Sequence, residues 1–130
     1  MNELVKSRIK SRLVNNPFHE GNIERVFLAA VIAGERIPEG IDASCFRVGK
    51  NRVIFKALVE LEKLEIGSSK KDALSVFLNE SGMLAAAGGE MYIKEVIDKG
   101  AEFFGKHPAI GLKVYARELI LQNLRRVTNG

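Results

Sequence analysis

Apolar residues recur along most of the chain with the period of an α-helix, and no segment alternates between apolar and polar residues as a half-buried strand does. In residues 50–65, aliphatic side chains form one stripe and charged side chains occupy the other faces. The same kind of pattern predicts further helices over residues 2–14, 22–33, 68–81, 90–98 and 109–127. The chain is therefore predicted to be an all-α protein.

Residues typical of helix ends separate these segments. Gly34 and Gly82 directly follow two of them, at the position where glycine commonly ends a helix. Asp42 is a predicted N-cap for a single turn that places Phe46 in the core.

Two further boundaries are predicted from short-range signals. Ser69, with Asp72 three residues later, forms a partial capping box for the helix over residues 68–81. Residues 100–108 contain two glycines and a proline, so they are predicted to be irregular.

The pattern divides the chain into three parts. Residues 1–16 form a basic amphipathic helix or arm, residues 17–108 a compact multi-helix head, and residues 109–130 a C-terminal helix that is one arm of a helical hairpin. This last helix is apolar on more than one face, so it needs partners on two sides. Either the hairpin continues beyond this sequence, or the helix packs against another protomer. The candidates for self-association are Tyr115, Leu119, Leu121 and Leu124.

Composition narrows the class of protein. With 130 residues, 46% of them hydrophobic, the chain suits one domain with a real core. The net charge of +4 is concentrated near the two ends, so DNA contact is expected to be weak. The apolar runs are too short for a membrane span, and lysines and arginines interrupt the N-terminus where a signal peptide would be apolar. A single cysteine, Cys45, cannot form an internal disulfide. These features predict a cytoplasmic protein with no membrane partner.

One stretch has the spacing of a nucleotide-binding phosphate loop. Gly100, Gly105 and Lys106 match that spacing, but His107 stands where the loop needs the Ser or Thr that holds Mg²⁺. The residues before it are predicted to be helical rather than a strand, so we interpret the stretch as a glycine-broken connector. The two histidines, His19 and His107, lie far apart with no cysteine pair near either. We therefore expect no catalytic, metal or cofactor site in this chain.

Several short motifs follow one another over most of the chain. An early helix carries Glu24-Arg-Val-Phe-Leu-Ala-Ala-Val, and Phe46 precedes a helix that opens with Asn51-Arg-Val-Ile-Phe. Gly82-Met-Leu is followed by Gly88-Gly-Glu-Met-Tyr-Ile, and the last helix contains Tyr-Ala and then a pair of arginines. In this order and spacing, the motifs resemble the N-terminal domain of DnaB-type replicative DNA helicases. That family has His where this chain has Asn51, which indicates a divergent version, of phage or plasmid type.

The resemblance implies a role for the chain. In that family this domain is a non-catalytic collar on a hexameric ring, assembles through helical hairpins, and docks primase or a helicase loader. The ATP-hydrolysing motor is a separate domain. We therefore expect a homo-oligomer, from dimer to hexamer, that serves ring assembly and primase or loader binding in DNA replication.

Other functions remain open at this point. The chain could be a stand-alone helicase regulator, a loader or inhibitor, that mimics the collar. It could also be the helicase-binding domain of a primase, or a helical DNA-binding protein that uses its basic arm. One observation would distinguish the collar from the first alternative: whether the natural reading frame continues past Gly130 into a motor domain.

The resemblance also assigns residues. Arg52 either pairs with an acid that holds the head together or contacts a partner. The motif residues expected to be structural are Phe46, Phe55, Gly82, Gly88, Gly89 and Tyr92.

Overall fold

The structure, a computed structural model, describes residues 20–64, 70–106 and 111–129, so the predicted basic segment 1–16 lies outside the described residues. The described part consists of α-helices and one 3-10 turn, without a strand, which confirms the all-α prediction. In chain order the elements are α1 (Glu20–Ala33), the 3-10 turn (Ala43–Cys45), α2 (Gly49–Lys63), α3 (Lys71–Glu80), α4 (Gly89–Lys106) and α5 (Leu112–Asn129).

Helix α1 is the centre of the fold. From Asn22 to Ile32 every side chain except that of Arg25 is buried. A helix that is apolar on almost all sides must be covered on all sides. Helix α4 packs along it most extensively, and α2, α3 and α5 cover its other faces.

The crossing of α1 and α4 depends on Gly100. A Cβ atom built at Gly100 would lie 2.1 Å from the Cβ of Ala29, so any side chain there would force the two helices apart. Helix α4 continues through Gly100 to Lys106. The prediction that residues 100–108 are irregular is therefore wrong for residues 100–106, because this glycine provides a contact surface instead of ending the helix.

Three phenylalanines link the 3-10 turn to the core. The ring centroid of Phe46 lies 4.8 Å from that of Phe55 and 5.8 Å from that of Phe27. Asp42 caps the turn as predicted, since its carboxylate accepts a hydrogen bond from the backbone N–H of Ser44 at 2.8 Å. The predicted core positions of Phe46 and Phe55 are confirmed.

Two helix boundaries match the sequence and one does not. Helix α1 ends directly before Gly34, and α3 ends two residues before Gly82. The start of α3 differs, because Lys70 occupies the N-cap position and its side chain makes no cap hydrogen bond. Asp72 of the predicted capping box lies in the first helical turn, and its other member, Ser69, lies outside the described residues.

The double glycine forms the tight entry to α4 that the sequence indicates. Gly88 has a φ of +94°, and a Cβ atom there would lie 2.8 Å from the side chain of Tyr92. Gly89, with a φ of +82°, is the first residue of the helix.

None of the described helices is both long enough and apolar enough to span a membrane.

Candidate functional site

A buried carboxylate joins α1 to the N-terminus of α2. The side chain of Glu24 is buried, and its oxygens accept hydrogen bonds from the backbone N–H groups of Arg47 (3.1 Å) and Val48 (3.2 Å). They accept a third from the side-chain amide of Asn51 at 3.0 Å. Val48 is the N-cap residue of α2 and has no polar side chain, and Glu24, from another helix, accepts from the N–H of Val48, one of the free N–H groups at this helix end. The negative charge also faces the positive end of the α2 dipole.

Asn51 extends these contacts to α4. The hydroxyl of Tyr92 donates to Asn51 Oδ1 at 2.6 Å, while the amide of Asn51 donates to Glu24. Burial raises the pKa of the Tyr92 hydroxyl, so this group stays a proton donor at neutral pH. The Lys50 ammonium lies 4.8 Å from the centroid of the Tyr92 ring, within the range of a cation–π interaction. We call Glu24, Asn51 and Tyr92 the polar network.

The polar network holds helices together and offers little to a substrate. Glu24 and Asn51 are buried, and Tyr92, predicted to be a core residue, is half-buried. Glu24 and Tyr92 belong to the motifs on which the resemblance rests, and Asn51 stands where that family has His, but the contact of the three was not predicted. The available signal was an acid inside the apolar face of α1, where a carboxylate needs several hydrogen bonds to be tolerated.

A second buried charge lies at the opposite end of α1. The backbone N–H of Lys70 donates to the carbonyl of Ile32 at 2.7 Å, and its ammonium donates to the carbonyl of Val31 at 3.4 Å. Both carbonyls belong to the last turn of α1, where a cation is favoured by the helix dipole. No pattern in the sequence indicates this role, because Lys70 lies among polar residues at the edge of a predicted helix.

The four candidate self-association residues of α5 fall into two groups. Tyr115 and Leu119 are buried in the core that contains the apolar side chains of α1. The expectation that α5 has no partner within its own chain is therefore wrong for these two residues, because α1 covers this face. Leu121 is half-buried, and Leu124 is 53% exposed. Val127, one turn further along the helix, is 71% exposed.

The paired arginines of α5 contribute to its anchoring. Arg126 donates a hydrogen bond to the carbonyl of Cys45 at 3.1 Å, which ties the end of α5 to the 3-10 turn. Arg125 lies 3.6 Å from the carboxylate of Glu118 on the same helix. Burial also raises the pKa of the hydroxyl of Tyr115, which lies earlier in the same helix.

Arg52 lies exposed on α2. Within the described ranges no acid forms an ion pair with its guanidinium. The alternative in which Arg52 holds the head together therefore gains no support from this part of the chain, and contact with a partner stays a prediction.

An apolar groove that the sequence did not predict lies on the outer side of α2. It encloses about 550 Å³ and is lined by residues of α2, of α3 and of the segment around the 3-10 turn. Its apolar lining includes Ile41, Val53, Val59, Phe77 and Met83. Asp42, Lys56 and Glu60 also line it.

The stretch with phosphate-loop spacing forms the last turns of α4. In a helix the backbone N–H groups point along the axis to carbonyls of the preceding turn, so they cannot wrap around a phosphate. Among the residues that the structure describes, no cluster of three His, Cys, Asp or Glu side chains could hold a metal ion.

Comparison of the chain with protein-family models, with curated proteins and with solved structures finds no match. The functional assignment therefore depends on the motifs and on the geometry described above.

Proposed function

We propose that this chain is a non-catalytic collar and docking domain of the DnaB type, which assembles a hexameric replicative DNA helicase and binds its primase or loader. The observation that carries this proposal is the polar network. Its members lie 27 and 41 residues apart along the chain, yet they meet in one chain of hydrogen bonds. Segments that carry three of the motifs behind the resemblance thus pack against one another in α1, α2 and α4, which supports the proposal.

The surface supports an interaction module as well. The groove on α2 and the exposed apolar end of α5 lie on one small domain. Exposed apolar surfaces of this kind mark sites where other proteins bind. Docking to protein partners and to further copies of the chain accounts for both surfaces.

The test is to tag the gene at its natural locus and to identify cross-linked partners in replicating cells of the source organism. We expect the replicative helicase motor and primase or a loader to be recovered. The size of the tagged polypeptide separates the main alternatives. A product much heavier than 14.4 kDa that contains the motor supports the collar, whereas a 14.4 kDa product bound to a separate helicase supports the regulator. Recovery of neither helicase nor primase would contradict the proposal.

Arg52 provides a matched pair of variants for this experiment. Arg52→Ala should lower the recovery of primase or loader, while Arg36→Ala, at another exposed arginine, should leave it unchanged. Equal recovery with both variants would remove Arg52 from the predicted docking surface.

A further inference from the structure

We propose that two copies of this chain form a reciprocal dimer, in which the end of α5 of each copy fills the groove on α2 of the other. We call the exposed side of that helix end the α5 ridge; it consists of Leu121, Leu124 and Val127. This inference rests on the proposed self-association and deepens it by naming the two surfaces that meet.

The groove offers apolar space to the side chains of another helix. It runs between two helices, α2 and α3, and its lining is mainly apolar. Met83 at its edge is 43% exposed, and Val53 and Phe77 are half-buried, so apolar atoms remain open to water in the single chain. Covering such a surface is favourable by about 25 cal/mol for each Å² of apolar area.

The α5 ridge is an exposed apolar row of side chains on a helix. Its three residues follow one another at intervals of three positions, so they form one of the rows of side chains that pack into grooves between helices. More than half of the surface of Leu124 and of Val127 is exposed. The same chain therefore carries an apolar ridge and an apolar groove, and neither is fully covered.

The helix that carries the ridge and the groove have net charges of opposite sign. Between Leu112 and Val127, α5 carries four basic side chains, Lys113, Arg117, Arg125 and Arg126, and one acid, Glu118. The groove is lined by two acids, Asp42 and Glu60, and by one base, Lys56. Opposite charges at the edges of an interface guide association and set the orientation of the partners.

The positions of the two surfaces favour a second copy as the occupant. Arg126 of α5 donates to the carbonyl of Cys45 in the 3-10 turn, and Asp42 and Ala43 beside that turn line the groove. The end of α5 and the groove thus adjoin the same turn, so the ridge and the groove can serve together as a self-complementary surface. A two-fold axis through such a patch forms the ridge–groove contact twice and closes the assembly. Forming the contact twice also brings the buried area closer to the roughly 800 Å² for each partner of a stable interface.

The experiment uses variants of the full 130-residue chain that introduce single charges of opposite sign, and analytical ultracentrifugation over a range of concentrations. Met83→Glu places an acid in the groove, and Leu124→Lys places a base on the ridge. Each variant alone should weaken the dimer about tenfold or more, because an unpaired charge is buried at both contacts. In an equal mixture, one contact of the mixed dimer joins Glu to Lys and the other is unchanged, so dimers should return.

Two exposed apolar residues outside the patch provide controls. Met91→Glu, at a methionine that is 87% exposed on α4, and Val114→Lys, at a valine that is 46% exposed on α5, should leave the dimer unchanged. Because all the substituted side chains are exposed, circular dichroism should show the same helical content in every variant.

The outcomes separate this inference from the proposed function. If Leu124→Lys weakens the dimer and Met83→Glu does not, the chain self-associates without its groove, and only the inference fails. The inference also fails if the two variants do not restore dimers when mixed. A wild-type chain that stays monomeric at every concentration overturns the inference and removes the support that self-association gives to the proposed function.

Discussion

A buried charge lies at each end of α1, and the two charges differ in how well hydrogen bonds satisfy them. Near its start, Glu24 accepts three hydrogen bonds from groups at the N-terminus of α2. At its other end, the ammonium of Lys70 reaches the carbonyl of Val31 at 3.4 Å, which is long for a hydrogen bond. Both charges have the sign that the neighbouring helix dipole favours.

The difference shows that burial of a charge does not measure its contribution to stability. Removing a charge from water costs roughly several kcal/mol, and only well-placed hydrogen-bond partners offset that cost. Glu24 has such partners in two backbone N–H groups and one side-chain amide, so its loss would leave donors without an acceptor. We therefore expect the Glu24 end of α1 to be sensitive to substitution and the Lys70 end to tolerate it.

The largest effect is expected for Glu24→Ala. The donors on Arg47, Val48 and Asn51 would lose their acceptor, and the free energy of unfolding should fall by about 2–4 kcal/mol. Urea denaturation followed by circular dichroism measures this loss. Glu24→Gln keeps one acceptor oxygen and should fall between the wild type and the alanine variant. A loss below about 1 kcal/mol for Glu24→Ala would contradict the role assigned to the carboxylate.

A smaller loss is expected for Tyr92→Phe. This change keeps the ring and its contact with Lys50 but removes the donor to Asn51 Oδ1. The free energy of unfolding should fall by about 1–2 kcal/mol, the usual cost of one unsatisfied polar atom. In the Glu24→Ala background the same change should cost less, because the two residues belong to one network. Equal losses in both backgrounds would show that the network is not coupled.

At the other end of α1, Lys70→Met should leave stability unchanged or raise it by up to about 1 kcal/mol. Methionine keeps the backbone hydrogen bond to Ile32 and fills a similar volume without a buried charge. Thermal and urea denaturation measure the change, with Lys99→Met at an exposed lysine of α4 as control. A loss of about 2 kcal/mol or more would mean that the two ends of α1 are equally dependent on their charges.

The smallest effect is expected at alkaline pH. Burial raises the pKa of Tyr92 and of Tyr115 above the ordinary value of about 10. The unfolded chain therefore releases these protons first. Their contribution to stability is complete below about pH 10 and is lost as the pH rises through the folded-state values. Denaturation at a series of alkaline pH values should show that the free energy of unfolding falls less steeply for Tyr92→Phe than for the wild type. Identical slopes would mean that Tyr92 does not contribute to the alkaline loss of stability.

Local patterns predicted most of the secondary structure. The apolar stripe of residues 50–65 became α2, and Asp42 caps the turn that carries Phe46. These elements depend on neighbours within a few residues, so a linear pattern contains the information. The predicted irregular stretch failed at Gly100 because its neighbour in space is Ala29, which no local pattern reveals.

The candidate site was predicted in part. The motifs named Glu24, Asn51 and Tyr92, but not the hydrogen bonds between them. The apolar faces of α5 were recognised, but the partner that covers Tyr115 and Leu119 was not. Amphipathic periodicity shows which faces of a helix avoid water, yet it does not show which other helix lies against them.

The sequence by itself determined the helical character of this protein, because side-chain periodicity and end residues such as Asp42 act over one or two turns. The tertiary structure alone decided which buried charges are satisfied, which faces of α5 are covered, and that a groove opens beside α2. These properties arise where segments far apart in the chain come together, and their energies depend on distances of a few ångströms between groups that the linear order leaves unrelated.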